Sequence, residues 1–282
     1  VTTRLLSWTT KVRMGLDFMR RPSGIPQEDR SVADFIRDHY GQEAVDYLAE
    51  PLLAGVYGGD PEQLSVSSVL AMFAEMEAKY GSLTRGVLAA RRRAPKGRNT
   101  PPLFQTLQSG LGSLIQTLER AASPQMRVVT GSAESLRRDG SAFRLRLPGA
   151  ELEADAVVLA CQAHEAGTLV RGIDADLAAL LESVPYNSSV TISLGFDRSG
   201  FDGNLSGFGF LVPARERSRL AACTLVGTKF PYRVPDDKVM LRCFVGGTVS
   251  ESDDALVAEI REELRGIMGL TAQPVFQRVE RW

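Results

Sequence analysis

Along the first 120 residues apolar positions recur at helical spacing, in pieces divided by glycine and proline. Ser31 with Asp34 three positions on reads as a capping start for a helix carrying Val32, Phe35 and Ile36, and Gly41 reads as its stop. Residues 42–49 make a second short helix, ended by Pro51. After the turn Gly58-Gly59-Asp60-Pro61, Ser65 opens a longer run through Val69, Met72, Phe73 and Met76 that closes at Gly81. The basic, proline-bearing stretch 91–102 reads as a loop. From Met126 the period falls to two. Strands are expected over 126–130, 142–147 and 156–160, the last a short apolar run of the kind that fills a buried strand. A helix over 174–183 then precedes strands at 188–196, 207–213, 221–226 and 239–245, which read as a mostly antiparallel sheet. Asp253–Met268 is an amphipathic helix with Ala255, Leu256, Ile260, Leu264 and Ile267 on one side, and 275–282 alternates as a further strand.

Composition narrows the class without naming a chemistry. At 282 residues, 44% hydrophobic and 24% charged, the chain is ordinary globular material with room for two domains. A formal net charge of -1 argues against a general polyanion-binding surface, so nucleic acid is not expected as a partner. The three cysteines, Cys161, Cys223 and Cys243, are odd in number and far apart, which fits neither a disulfide framework nor a metal cluster and points to a reducing, cytoplasmic compartment. The two histidines, His39 and His164, fall in no triad or metal spacing and read as surface or helix-end residues. No run of about 18 apolar residues is present.

The segment Glu50–Ser65, EPLLAGVYGGDPEQLS, resembles a signature of the protoporphyrinogen/coproporphyrinogen oxidase family of FAD-dependent flavoproteins. The likeness extends through Ser31–Phe35, Glu77–Ser82, Ser109–Leu118, Ala154–Ala160, Gly207–Pro213 and Phe244–Gly247. It implies a mixed α/β (α+β) flavoprotein: a helical, membrane-contacting subdomain over 1–110, part of an FAD-binding domain over 123–172, and a mixed-sheet substrate domain over 173–282. The family's N-terminal strand–GxGxxG–helix unit, in which glycines let the backbone approach the pyrophosphate at a helix N-terminus, has no counterpart at Gly58-Gly59, Ser109–Gly112 or Gly246-Gly247. Its C-terminal flavin-closing segment is also missing. The chain begins at Val1 without methionine and ends at Trp282 inside a strand-like run. The expectation is therefore a central piece of a longer enzyme that alone neither retains FAD nor turns over.

The resemblance further implies a porphyrinogen as substrate, oxidised by the flavin in three two-electron steps with oxygen as acceptor and hydrogen peroxide released. The protein then need supply no nucleophile and no metal. Positions matching Gly209, Leu211, Leu225 and Phe244 line the family's substrate site, with the leucines on one ring and the aromatic on another. Strand alternation puts Gly209 and Leu211 on one face, a gap beside a leucine through which a flat ligand could reach the backbone. Arg242 shares the face of Phe244 and Met240 and reads equally as a partner for a substrate carboxylate or as a solvated arginine. Core packing is the competing reading at each of these positions. For FAD the resemblance points to main chain at Ala133 and at Ala160-Cys161, although Cys161-Gln162 departs from the family's usual turn. The basic run Arg91–Arg98 and the apolar N-terminal segment around Trp8 suit contact with the inner face of a membrane, and the resemblance also allows a homodimer. Two alternatives stay open: another amine-oxidase-like flavin oxidoreductase such as a carotenoid desaturase, and a non-catalytic tetrapyrrole-binding remnant.

Overall fold

The computed structural model describes residues 3–22, 28–93 and 105–282. It divides into two compact units, Val1–Pro101 together with Asn187–Trp282, and Pro102–Tyr186. The helical segment and the C-terminal sheet thus fall in one compact unit.

The first unit opens with α1 (Trp8–Leu16) and α2 (Val32–Tyr40). Ser31 caps α2 as expected, accepting the Asp34 N–H at 3.0 Å, and Gly41 ends it at φ 92°. Pro51, however, does not stop the next helix. The chain runs from α3 (Gln42–Ala44) through a π-helical turn, Val45–Ala49, into α4 (Glu50–Tyr57). Proline has no N–H to donate and its ring crowds the carbonyl of a regular preceding turn; the wider π turn in front of it relieves both. Gly58, left-handed at φ 62°, ends α4. The run from Ser65 is likewise two helices, α5 (Val66–Val69) and α6 (Ala71–Tyr80), because Leu70 leaves helical geometry between them. The next helix, α7 (Leu83–Arg93), takes up the start of the stretch expected as a loop, while 94–98 of the basic run lie outside the described residues. Val32, Phe35, Leu53, Val66 and Leu83 form the core of these helices.

The second unit holds α8 (Gly112–Ala122), a three-stranded antiparallel sheet of β1 (Ser135–Asp139), β2 (Ala142–Leu147) and β3 (Ala150–Ala154), and the packed pair α9 (Ala163–Val170) and α10 (Ala175–Glu182). Strands β1 and β3 escape a hydrophobic reading because they are charged on exposed faces and joined by cross-strand ion pairs, Arg137 to Glu151 at 2.6 Å and Arg144 to Asp139 at 2.8 Å. The expected strands 126–130 and 156–160 belong to no sheet among the described residues, and Val158 is 89% exposed.

Back in the first unit, β4 (Ser189–Asp197), β5 (Gly209–Leu211), β6 (Leu220–Leu225), α11 (Val226–Lys229), β7 (Lys238–Gly246), α12 (Asp253–Met268) and β8 (Phe276–Arg281) follow. The five strands make an antiparallel sheet in the order β5-β6-β7-β4-β8. Alternation sorts its two faces. Val190, Ile192, Leu194 and Phe196 of β4 and Val239, Leu241, Cys243 and Val245 of β7 form one core with Leu256, Val257, Ile260 and Leu264 of α12. Each such side chain contributes about 1.5–3 kcal/mol by leaving water. The opposite face is left for other use.

Candidate functional site

Register places a mixed apolar and cationic surface on that opposite face. One row runs Gly209, Thr224, Arg242, Ser193, Arg278, and the next Leu211, Ala222, Phe244, Thr191, Glu280. Met240, Gly195 and Phe276 flank the first row, and Trp282 flanks the second, its indole N–H donating to Thr191 Oγ1 at 3.3 Å. Gly209, Leu211, Arg242 and Phe244 therefore share one face, as strand parity requires. Arg242 is exposed and has no ion-pair or hydrogen-bond partner among the described residues, whereas Arg278 is paired with Glu280. An arginine in the middle of such a row, beside Phe244 and free of a protein carboxylate, is equipped to take one from a ligand. Phe276 and Trp282 were not singled out from the sequence; the pairing of β8 with β4 is what brings them here, and only parity along 276–282 hinted at it.

Two expectations change. Leu225 pairs with Leu241 and lies on the opposite, helix-packed face, 3% exposed, because it is one residue out of phase with Thr224. It borders a cleft of about 100 Å³ with Gly227, Val239 and Met240 at the end of the sheet, away from Phe244 along the strands. Gly209 is on the expected face, but its missing side chain makes room for protein rather than ligand. At φ 144° a Cβ there would fall 2.1 Å from the Cys223 carbonyl oxygen, so β5 can approach β6 this closely only with glycine.

The Glu50–Ser65 segment lies against the Leu211 end of this face. Helix α4 packs on β5 and β6, and a Cβ on Gly55 would sit in ordinary contact, 3.4 Å, with Leu211 Cδ2. The Glu50 carboxylate accepts the Ala214 N–H at 2.9 Å and an Arg217 guanidinium N–H at 2.8 Å, fixing the chain just after β5. Asp46 pairs with Arg215 at 2.8 Å, and Asn187 at the root of β4 donates to the Gly58 carbonyl at 3.0 Å. These bonds give a physical reason for an acid at the start of the segment and a left-handed glycine after it.

A second polar cluster sits among the helices. His39 is buried rather than superficial, with Nδ1 2.6 Å from Asp17 Oδ1 and Nε2 2.9 Å from Glu77 Oε1. Asp17, itself buried, also accepts the Ser82 hydroxyl at 2.7 Å and the Thr84 N–H at 3.0 Å. Burial acts to raise the Asp17 carboxyl, but the bonds from His39, Thr84 and Ser82 and the charge of His39 outweigh it and hold the group below its ordinary value of 3.8. Asp38, His39 and Glu77 have the proximity of metal ligands, yet Arg30 already lies 2.6 Å from Glu77 and 3.5 Å from Asp38, and Arg20 lies 2.8 Å from Asp38. Arginines are thus the countercharges of Asp38 and Glu77, and the contacts of the cluster join α2, α6 and the start of α7. His164 is exposed on α9 and meets the Tyr186 ring edge-on at 5.1 Å.

In the second unit, Ala133 is half-buried, and Ala160 and Cys161 are exposed. None of the three makes a hydrogen bond among the described residues, so their main-chain groups are open to an outside partner.

The five-stranded antiparallel sheet is thus backed by α12, with its other face open and edged at one end by α4. Solved structures match nearly the whole chain. A protein of Exiguobacterium sp. 255-15 assigned as a protoporphyrinogen oxidase superposes with a TM-score of 0.83 at 28% identity, covering 99% of this chain and 60% of the other. A reduced UDP-galactopyranose mutase shares the fold with a TM-score of 0.68 at 14% identity, covering 98% of this chain and 61% of that one. The chain belongs to the family of flavin-containing amine oxidoreductases, whose model matches residues 3–282. Among relatives, coproporphyrinogen III oxidase of Bacillus subtilis is 30% identical over all of this chain and 61% of its own length. Chloroplastic protoporphyrinogen oxidase 1 of Arabidopsis thaliana is 25% identical over 94% of this chain and 54% of its own. The chain thus spans about three fifths of the bacterial relative and about half of the plant one. No helix among the described residues is long and apolar enough to cross a membrane.

Proposed function

We propose that the protein to which these 282 residues belong oxidises a porphyrinogen, coproporphyrinogen III or protoporphyrinogen IX, to the porphyrin, with oxygen as acceptor. The observation that carries the reading is the open face of the five-stranded sheet, where Leu211, Phe244 and an unpaired Arg242 stand in adjacent rows. A macrocycle that is apolar across its rings and anionic at its rim matches this surface. Phe244 and Leu211 cover pyrrole rings, Arg242 takes a carboxylate through two parallel N–H bonds, and Phe276 and Trp282 extend the apolar floor.

The flavin, when bound, accepts the electron pairs and passes them to oxygen. Residues of this chain that would suit it are the open main-chain groups at Ala133, for the adenine, and at Ala160-Cys161. What the sheet itself does is orient the substrate and keep water from its apolar side.

Peripheral membrane contact is the second element of the proposal. Leu5, Trp8, Val12, Leu16 and Met19 line one exposed stripe along and beyond α1, with Trp8 71% and Met19 70% exposed. An aromatic-bearing stripe of this kind suits the headgroup boundary of a bilayer that delivers an apolar substrate.

The test is steady-state oxidation by the full-length flavoprotein with both porphyrinogens. Turnover of either, with KM raised by Arg242→Leu and kcat little changed, supports the reading; turnover of neither with flavin bound removes it.

A further inference from the structure

A pair of thiols lies on the helix-packed side of the sheet, away from the proposed substrate face. Cys223 and Cys243, twenty residues apart and unremarkable in sequence, are direct cross-strand partners in β6 and β7. Their Sγ atoms are 3.9 Å apart, and both residues are buried in the core under α12, 2% and 0% exposed, in the same row as Phe210, Ile192 and Val279. Far apart along the chain, the two thiols become neighbours through antiparallel pairing.

We propose that Cys223 and Cys243 form a modification site, a cross-strand dithiol that a hydroperoxide oxidises to an intramolecular disulfide. Directly opposed residues in an antiparallel ladder have Cα atoms about 4.5–5.5 Å apart, inside the range of about 4.4–6.8 Å that a disulfide spans. Closing the sulfurs from 3.9 Å to a bond of about 2.05 Å therefore takes side-chain rotation and no separation of the strands. Cys161, exposed and in the other unit, has no such partner among the described residues.

The chemistry balances with the peroxide as sole oxidant. One thiol, losing its proton, attacks the O–O bond; the sulfur becomes a sulfenic acid and the leaving oxygen departs as alcohol or water. The second thiol then displaces hydroxide from that sulfur, which leaves as water with the thiol's proton. Two electrons pass from the sulfur pair to the peroxide bond, and one molecule of peroxide is consumed per disulfide. The oxidase reaction proposed above would release such an oxidant, but the dithiol needs only that one be present. The hydrogen bond with Cys223 and burial push the Cys243 thiol well up, so the reaction is slow and needs local opening of the core.

The consequence lies on the opposite face. A bond between Cys223 and Cys243 fixes β6 against β7 one residue away from Thr224, Arg242 and Phe244, so oxidation reports to the open face without any residue there being modified.

The experiment uses the 282-residue chain carrying Cys161→Ser, treated with hydrogen peroxide under native conditions, then unfolded, alkylated and digested with trypsin. The expected product has lost two hydrogens, takes up no alkylating agent, and yields residues 220–229 joined to residues 243–261 until dithiothreitol separates them. Its melting midpoint should rise on the order of 5–10 °C, the effect of closing a loop of this length. Recovery of two alkylated cysteines after peroxide, oxidation of each sulfur separately to sulfinic or sulfonic acid, or a bond between two molecules overturns the proposal. Because the mapping is made on a chain retaining both cysteines, it does not depend on whether Cys223→Ser or Cys243→Ser folds.

Discussion

Arg217 donates to the Glu50 carboxylate at 2.8 Å across 167 positions of sequence, tying the start of α4 to the segment that leaves β5. Both side chains are mostly shielded, and the same carboxylate also receives the Ala214 N–H. Replacing the acid leaves the Ala214 N–H without its acceptor and the shielded Arg217 guanidinium with the Val212 carbonyl but no countercharge. Glu50→Ala should therefore cost about 1–3 kcal/mol of unfolding free energy. Amide exchange should quicken over 209–217 while the α12 core keeps its protection; urea titration and hydrogen exchange check the two parts.

The closeness of β5 to β6 rests on Gly209. Alanine there meets the Cys223 carbonyl and is also strained at φ 144°, so Gly209→Ala should cost about 2–4 kcal/mol. The same change at Gly131, where a Cβ would meet nothing within 4 Å, should be close to neutral. Equal losses at the two positions would show that β5 does not approach β6 as described.

Leu225 and Phe244 should separate cleanly. Leu225→Ala removes a core side chain and should cost about 2–5 kcal/mol without a direct effect on a ligand of the open face. Phe244, half-buried on that face, should lose less stability on truncation and more affinity. Thermal unfolding beside ligand titration of both variants decides it.

Acid should act through Asp17. Its folded-state carboxyl is held below the ordinary 3.8, so the stability it contributes is fully present above the unfolded value and is lost as pH falls through the lower folded value. Unfolding free energy of the wild type should drop below about pH 4 more steeply than that of Asp17→Asn, which is already weakened at neutral pH. Parallel pH profiles for the two proteins would mean that the carboxyl is not held down by the His39, Ser82 and Thr84 contacts.

Much of this architecture was legible where side chains meet a single local demand. A stripe of apolar positions over Asp253–Met268 marks α12, which Ser252 caps and the left-handed Gly269 ends, and alternation marks the faces of β7. What depends on a distant partner was not. Pro51 looked like a stop because the π turn that accommodates it has no sequence marker. Residues 156–160 read as a buried strand because apolar runs ask for cover, and no strand among the described residues supplies it. Strand parity groups Gly209 with Leu211 and Arg242 with Phe244; Leu225 joined them through the resemblance alone, and the pairing of β6 with β7 puts it on the helix-packed face. His39, read as a surface or helix-end residue, does lie in the last turn of α2, but its burial depends on carboxylates 22 and 38 positions away.

The central claim is that the open face of the sheet receives a tetrapyrrole with Arg242 on a carboxylate, and fluorescence titration of the 282-residue chain with coproporphyrin III tests it most directly. The account predicts saturable binding that Arg242→Leu and Phe244→Ala each weaken roughly 10-fold or more while Leu225→Ala, at a temperature where it is folded, does not. No binding by the wild type, or equal binding by wild type and both face variants, would contradict it.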